Sequence, residues 1–305
     1  MKKALILGSE GNIGKPLVKH MRSAGYQVLE VDIVPAHRRD YIMADISNPI
    51  DLIPAFDFNP DVVFMMSAMV SRVTCEQASS LTASTNLLGL TNVLQMCKRV
   101  NAKVVFFSTS EVYGPNCNPM DERLSDPQPN NFYGLSKLLG EKLVEYEVRQ
   151  HKLQAISLRP FMMYDEDEDL GDHRSAMIRF ATNLALGRPI EVHNGSARGW
   201  FHVSDAVRSI EGAARATEYA VVNIGHPDVR PIAELAEMIR ARLKAPKELV
   251  TIRDLPERMT LVKNPTLERQ RTILGVTPKV SLEEGVDLLC GRIQDRLTSA
   301  GIRIG

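Results

Sequence analysis

The chain has 305 residues, 44% of them hydrophobic and 24% charged, which is enough for one large core or two lobes. Its 37 Lys+Arg and 37 Asp+Glu cancel, so there is neither the basic field of a nucleic-acid binder nor the acidic excess of a disordered chain. The apolar run at residues 4–7 is broken by Gly8, and Cys75, Cys97, Cys117, Cys290 and the seven histidines show no metal-ligand spacing. The expectation is a cytoplasmic protein with reduced thiols, no metal, no membrane contact and no nucleic-acid partner.

Residues 3–7 read as a buried strand. Gly8, Gly11, Asn12, Ile13 and Gly14 follow as a GxxGxxG turn, and a helix then runs through Met21 towards Gly25. Strand, glycine turn and helix N-terminus in this order form a pyrophosphate site. A second strand over 27–31 ends at Asp32, about 20 residues past the turn, where a carboxylate accepts from ribose hydroxyls and repels a 2′-phosphate. This favours NAD over NADP. Arg38 and Arg39 admit two readings, as solvated loop charges or as receivers of that phosphate.

Further strands are expected over 41–44, 61–66 and 103–107. The fourth ends at Ser67 and Ala68, and the fifth at Ser108. Residues 74–99 have helical periodicity with Asn86 inside it, read either as an exposed helix position or as a buried hydrogen-bonder near a cofactor. Residues 115–131 read as a loop, 133–149 as a helix and 153–158 as a sixth strand. Strands alternating with helices imply a doubly wound parallel sheet, an α/β Rossmann fold, with ligands at the carboxyl ends of its strands. Gly8, Asp32, Ser67 and 108–111 all fall at such ends.

Past residue 160 the pattern changes. The acidic run 165–169 reads as a solvated loop, with a carboxylate metal site as the alternative. Helices are expected over 175–186, 206–217 (capped by Ser204-Asp205) and 231–243, and short strands over 189–193, 199–203 and 220–224. Further elements over 249–252, 265–274 and 281–297 complete the chain. The expected organisation is a dinucleotide-binding domain over 1–160 carrying the catalytic groups. A smaller substrate lobe covers 161–305, and part of that chain can cross back.

The chemistry concentrates between Ser108 and Lys137. Thr109, Ser110 and Glu111 stand at a strand end, while Tyr133 and Lys137 lie one helical turn apart on one face. A lysine and a cationic nicotinamide lower the pKa of a phenol, so that Tyr133 can take a hydroxyl proton while hydride leaves the same carbon. Thr109 holds that hydroxyl.

These motifs are similar to those of extended short-chain dehydrogenases/reductases of the nucleotide-sugar epimerase/dehydratase/decarboxylase family. The resemblance rests on Gly8/Gly11/Gly14, Asp32, Asp45-Ile46, Asn86, the run 108–114, Tyr133/Lys137, Arg159-Pro160-Phe161, residues 187–190 and 222–225. It implies that Asp45 and Ile46 flank the adenine, that Ser67, Ala68, Asn86 and Ser108 help to hold NAD, and that Lys137 also binds the nicotinamide ribose. It implies a substrate side of Met162, Arg174, Arg198 and Lys263, with Arg198 on the diphosphate. Helices near 80–99 and 133–149 would pair in a homodimer. The implied reaction is oxidation at sugar C4 to a transient 4-keto sugar, then decarboxylation or dehydration and hydride return. 4-Epimerisation is the alternative outcome, and a non-catalytic NAD-binding regulator or an NADPH-using reductase are the rivals from other classes. Glu111 resembles the decarboxylase and dehydratase carboxylate, or else caps its turn. Met162 stands where relatives carry Asn, and Lys263 where decarboxylases carry Arg.

Overall fold

The computed structural model describes residues 1–124, 126–170, 175–254 and 260–302. Strands β1 (Lys3–Leu7), β2 (Gln27–Asp32), β3 (Tyr41–Met43), β4 (Val62–Met65), β5 (Lys103–Phe107), β6 (Ala155–Pro160) and β7 (Val221–Ile224) form one sheet in the order β7-β6-β5-β4-β1-β2-β3. All its pairings are parallel. This is the doubly wound Rossmann arrangement. The strand order reverses between β1 and β4, and that switch opens a crevice outside the carboxyl ends.

Alternation along each strand explains why the strand sequences are apolar almost throughout. In β1, Ala4 and Ile6 join a core with Leu17, Val18 and Met21 of helix α1 (Gly14–Ser23). Leu5 and Leu7 face the opposite core, built with Leu90, Val93 and Leu94 of α2 (Gly89–Val100) and Val144 of α3 (Phe132–His151). Both faces of the sheet are therefore covered, and each fully buried Leu or Val contributes about 1.5–3 kcal/mol of apolar transfer.

Four longer helices follow: α4 (Ala176–Ala185), α5 (Val203–Arg215), α6 (Ile232–Leu243) and α7 (Leu282–Ser299). Helices α4, α6 and α7 enclose a second core around Met177, Ile178, Leu235, Ile239, Leu289 and Ile293. Helix α5 does not belong to it. Its Ala206, Val207 and Ile210 pack into the α1 side of the large sheet, and β7 then adds a strand beside β6. The chain thus returns to the first layer after residue 160, so a cut there does not separate the two lobes cleanly.

Local expectations change where tertiary contacts override periodicity. The helix expected over 74–99 is broken into Arg72–Gln77, Ser79–Ala83, a π-helical turn over Ser84–Leu88, and α2. The π turn rotates Asn86 inward. The strand expected over 199–203 stops at Trp200, leaving Ala197–Gly199 and Phe201–His202. His202, not Ser204-Asp205, caps α5, with its Nδ1 accepting from the Ser204 N–H. Asp205 instead accepts the Lys279 and Val280 N–H groups at 2.8 and 3.0 Å and pairs with Arg208. Of the 265–274 element, only Glu268–Thr272 is helical. In the smaller lobe, Val262–Lys263 runs parallel to Ala197–Gly199 in a register that sets Lys263 beside Arg198.

Candidate active site

A cavity of about 1200 Å³ lies in the crevice and extends between the sheet and the second lobe. Its floor is the glycine turn. Gly8 has φ +93, and a Cβ on Gly14 would sit 2.1 Å from the Gly8 carbonyl, so neither position accepts another residue without displacement. A Cβ on Gly11 would meet only that carbonyl, at 3.3 Å, and would otherwise stand open on the cavity side. Asn12, Ile13, Asp32, Asp45, Ile46, Ser67 and Ala68 line the same end. The Asp32 carboxylate accepts the Glu10 N–H of the turn at 2.9 Å and the Val34 N–H at 3.2 Å, which fixes it at the tip of β2. A backbone cradle followed by a fixed carboxylate fits a dinucleotide with free ribose hydroxyls. Arg38 is a solvent-exposed charge that is also paired. Its guanidinium binds Glu10 and Glu30, the latter at 2.6 Å, and lies 4.8 Å over the Tyr41 ring. Two carboxylates beside it disfavour a 2′-phosphate there.

At the centre, Thr109 caps a 3₁₀ turn over Ser110–Tyr113, its Oγ1 accepting the Glu111 N–H at 3.3 Å. Tyr133 enters from the first turn of α3 and its phenol engages the Thr109 hydroxyl. Burial drives that phenol above its ordinary pKa; the Thr109 bond relieves this in part and the Glu111 charge adds to it. Lys137 Nζ donates to the Phe107 carbonyl at 2.8 Å and lies 5.1 Å over the Phe106 ring. Burial pushes its ammonium down to about 8. The expected lowering of the phenol by Lys137 is therefore not what the protein alone achieves. The lysine is held by the end of β5, and desolvation dominates at Tyr133.

Glu111 is the hub of the substrate side. One carboxylate oxygen binds Lys263 and the other accepts Asn131 Nδ2 at 2.9 Å, with Arg72 Nη1 at 3.6 Å. Asn131 does two jobs, since its Oδ1 also caps α3 by accepting the Gly134 N–H at 2.8 Å. Burial pushes the Glu111 carboxyl up, but Lys263, Arg72 and Asn131 outweigh it and hold the group below the usual carboxylate range. Lys263 also donates to Ser110 Oγ at 3.0 Å, and burial lowers its own pKa against the pull of Glu111. Arg198 lines the cavity and donates to the Ala197, Leu261 and Thr260 carbonyls at 2.8, 2.7 and 2.6 Å. Burial pushes it down to about 10, so it stays cationic at neutral pH.

Of the predicted cofactor residues, Ser108 lines the cavity but turns its hydroxyl away from it, and Asn86 lies behind the wall. Asn86 is buried and does not line the cavity. Its Oδ1 accepts the Met69 N–H at 2.8 Å, and its Nδ2 donates to the Met69 carbonyl and to Ser136 Oγ at 3.1 and 2.9 Å. It clamps the 66–69 loop onto α3. The Ser108 hydroxyl turns back to Glu141, which holds Arg159 through two bonds of 2.8 and 2.7 Å. This buried pair braces the ends of β5 and β6 beneath the site. Met162 does line the cavity, with φ 27, in the left-handed region that an unbranched apolar side chain rarely adopts. Arg174 lies outside the described residues.

The acidic run is not simply solvated. Glu168 is buried and accepts Asn12 Nδ2 at 3.0 Å and the Ser175 hydroxyl at 3.0 Å. Glu166 binds His202 at 2.8 Å and Asp167 binds Arg292 at 2.6 Å. Among the described residues no group of three or more His, Cys, Asp or Glu is arranged to hold a metal ion. Sequence reading missed Arg72 and the Arg179, Glu191 and His193 lining of the second lobe. Arg72 follows the fourth strand within a few residues, which is the one local sign that it would reach a strand-end site.

A family model described as "NAD dependent epimerase/dehydratase family" matches residues 4–225. The chain is 27% identical over 302 residues to UDP-glucuronic acid decarboxylase 6 of Arabidopsis thaliana, covering 94% of this chain and 87% of that one. A UDP-glucose 4-epimerase from Thermotoga maritima, solved with UDP-glucose, superposes with a TM-score of 0.90 at 24% identity, covering 97% of this chain and 99% of that one. MoeE5 in complex with UDP-glucuronic acid and NAD gives a TM-score of 0.86 at 23% identity, covering 97% of this chain and 100% of that one.

Proposed function

The chain belongs to the NAD-dependent epimerase/dehydratase family, and on that premise we propose that it oxidises C4 of a nucleotide-diphosphate sugar and then removes a group from the 4-keto sugar, by decarboxylation or dehydration. NAD, when bound on the glycine turn and Asp32, supplies a hydride acceptor that later returns the hydride. The chain's own groups do the rest. Tyr133 takes the proton of the C4 hydroxyl and Thr109 fixes that hydroxyl's direction. Lys137, charged below about pH 8, favours the phenolate once it is formed. A ketone at C4 makes the bonds at C5 easier to break, and Glu111 with Lys263 is the acid–base pair set beside that carbon. Remaining donors of Arg198 serve the diphosphate.

The observation that carries this reading is the ionised Glu111, held by Lys263 at the same strand end as the Thr109–Tyr133 pair. A 4-epimerase outcome is favoured by a different feature of the same group: both Glu111 oxygens already have partners. The test is incubation with UDP-, GDP-, dTDP- and CDP-sugars, followed by product mass. Loss of carbon dioxide or of water supports the main reading, and unchanged mass with an inverted C4 supports epimerisation. Tyr133→Phe should abolish the absorbance of enzyme-bound NADH that substrate produces. Normal reduction in that variant overturns the C4 mechanism, and no reduction in the wild type with any sugar leaves the non-catalytic binder.

The same reading includes a homodimer. Leu81 and Leu88 near the start of α2, and Leu135, Leu139 and Tyr146 on α3, are exposed apolar side chains on the two segments that would pair. A cytoplasmic setting agrees with the four free cysteines. Among the described residues no helix is long and apolar enough to cross a membrane.

A further inference from the structure

Glu168 follows the large sheet's sixth strand into the second lobe, yet it reaches back to the glycine turn. Its Oε1 accepts Asn12 Nδ2 at 3.0 Å across 156 residues, and both residues line the cavity at its dinucleotide end. A carboxylate repels a diphosphate, so Glu168 has the wrong charge for a contact to that part of the cofactor. What it offers is an anchor for the Asn12 amide through a charge-assisted bond.

The anchor is firmly mounted. Glu168 is 8% exposed. Its carboxylate accepts the Ser175 hydroxyl at 3.0 Å and the Ser175 N–H at 3.3 Å, and Ser175 in turn caps α4. Its backbone carbonyl accepts Arg296 Nη1 of α7 at 2.7 Å. Two residues back, Glu166 binds His202, the cap of α5, at 2.8 Å. Asp167 pairs with Arg292, but those side chains are 61% and 49% exposed and the pair adds little. The segment 165–169 is thus a strap fixed to α4, to α7 and to the start of α5. Asn12, by contrast, is an exposed residue of the turn. The bond between them ties the turn that cradles the cofactor to the opposite wall of the cavity.

The reading above gives such a tie a use. Hydride leaves the sugar and returns to it within one turnover, which requires that the cofactor not exchange in between. We propose that the Asn12–Glu168 bond is a latch across the dinucleotide end of the cavity, and that NAD enters and leaves only when it opens. The inference rests on the glycine turn and Asp32 as the NAD site, and it makes Glu168 a positioning residue that acts through Asn12. Because the bond joins two protein side chains, breaking it speeds entry and exit together and leaves Kd nearly unchanged. A direct contact to the cofactor would instead slow exit alone and appear in Kd.

The test uses the holoprotein in wild-type, Asn12→Ala, Glu168→Ala, Glu168→Gln and N12A/E168A forms. Each is loaded with radiolabelled NAD and chased with excess unlabelled NAD to read exit, and Kd is measured by equilibrium dialysis. A hydrogen bond to a charged group corresponds to about 10–100-fold. N12A and E168A should each speed exit by that factor while moving Kd less than about threefold. The double variant should be no faster than the faster single variant, and E168Q, which keeps an acceptor without the charge, should fall between wild type and E168A. Unchanged exit overturns the proposal. So does faster exit matched by an equal rise in Kd, or single effects that multiply in the double variant. In those cases the NAD site and C4 oxidation stand. A wild type that binds no NAD removes the site and this inference together. Far-UV circular dichroism checks each variant, and N12A, at an exposed turn residue, carries the test if E168A loosens the α4 cap.

Discussion

Breaking the Glu111–Lys263 pair one partner at a time measures how the site holds its charge. The two side chains are 11% and 9% exposed. At contact and an effective dielectric near 20, their attraction is about 4–5 kcal/mol, which desolvation of several kcal/mol per ion largely offsets. The intact pair is thus close to neutral for stability, but either member alone is an uncompensated charge. In a closed interior that costs about 3–5 kcal/mol. Here the pair opens onto the cavity and Lys263 keeps Ser110 at 3.0 Å, so Glu111→Gln should lose about 2–3 kcal/mol, roughly 3–5 °C in Tm for a chain of this size. Lys263→Met should lose a similar amount, and the double variant less than the sum by about 2 kcal/mol or more. Denaturant unfolding of all four proteins gives the cycle, and additive losses refute the coupling. The pH dependence has a definite sign. The folded pKa of Glu111 is lowered, so its contribution is present above the unfolded carboxylate range and is lost as pH falls through the folded value. In turnover, Glu111→Gln should keep bound-NADH formation and slow product release from the 4-keto stage by about 10²–10⁴-fold. Equal loss of both steps refutes a separate role beyond C4.

Two further outcomes follow from the same geometry. Lys137 is buried with its pKa lowered from 10.5 to about 8, so the unfolded chain binds its proton more tightly and the lysine's stability contribution grows between those two values. Lys137→Met should therefore melt higher than wild type at neutral pH, and the gap should close as pH rises through 8 towards 10.5; a gap that stays constant in Tm-against-pH curves refutes this. Met162→Asn should add about 0.5–1 kcal/mol, because asparagine tolerates the left-handed backbone at φ 27, and a lower Tm refutes the strain argument.

The groups legible in the sequence were those encoded by short-range geometry. A glycine triplet after an apolar run, a carboxylate closing the next strand, and a phenol and ammonium one helical turn apart each carry their meaning within a few residues. So does the alternation of strands and helices, because periodicity and turn chemistry are local. Tertiary structure decided what those groups face. Asn86 reads equally well as exposed or buried until a π-helical turn rotates it onto Met69 and Ser136. Lys137 is one turn from Tyr133, yet its ammonium donates to the Phe107 carbonyl at the end of β5. Lys263 reaches Glu111 across 152 residues because a strand register sets it beside Arg198, and no spacing in the sequence encodes that register. Local pattern specifies conformation, but the balance of buried charge is a property of the assembled cavity.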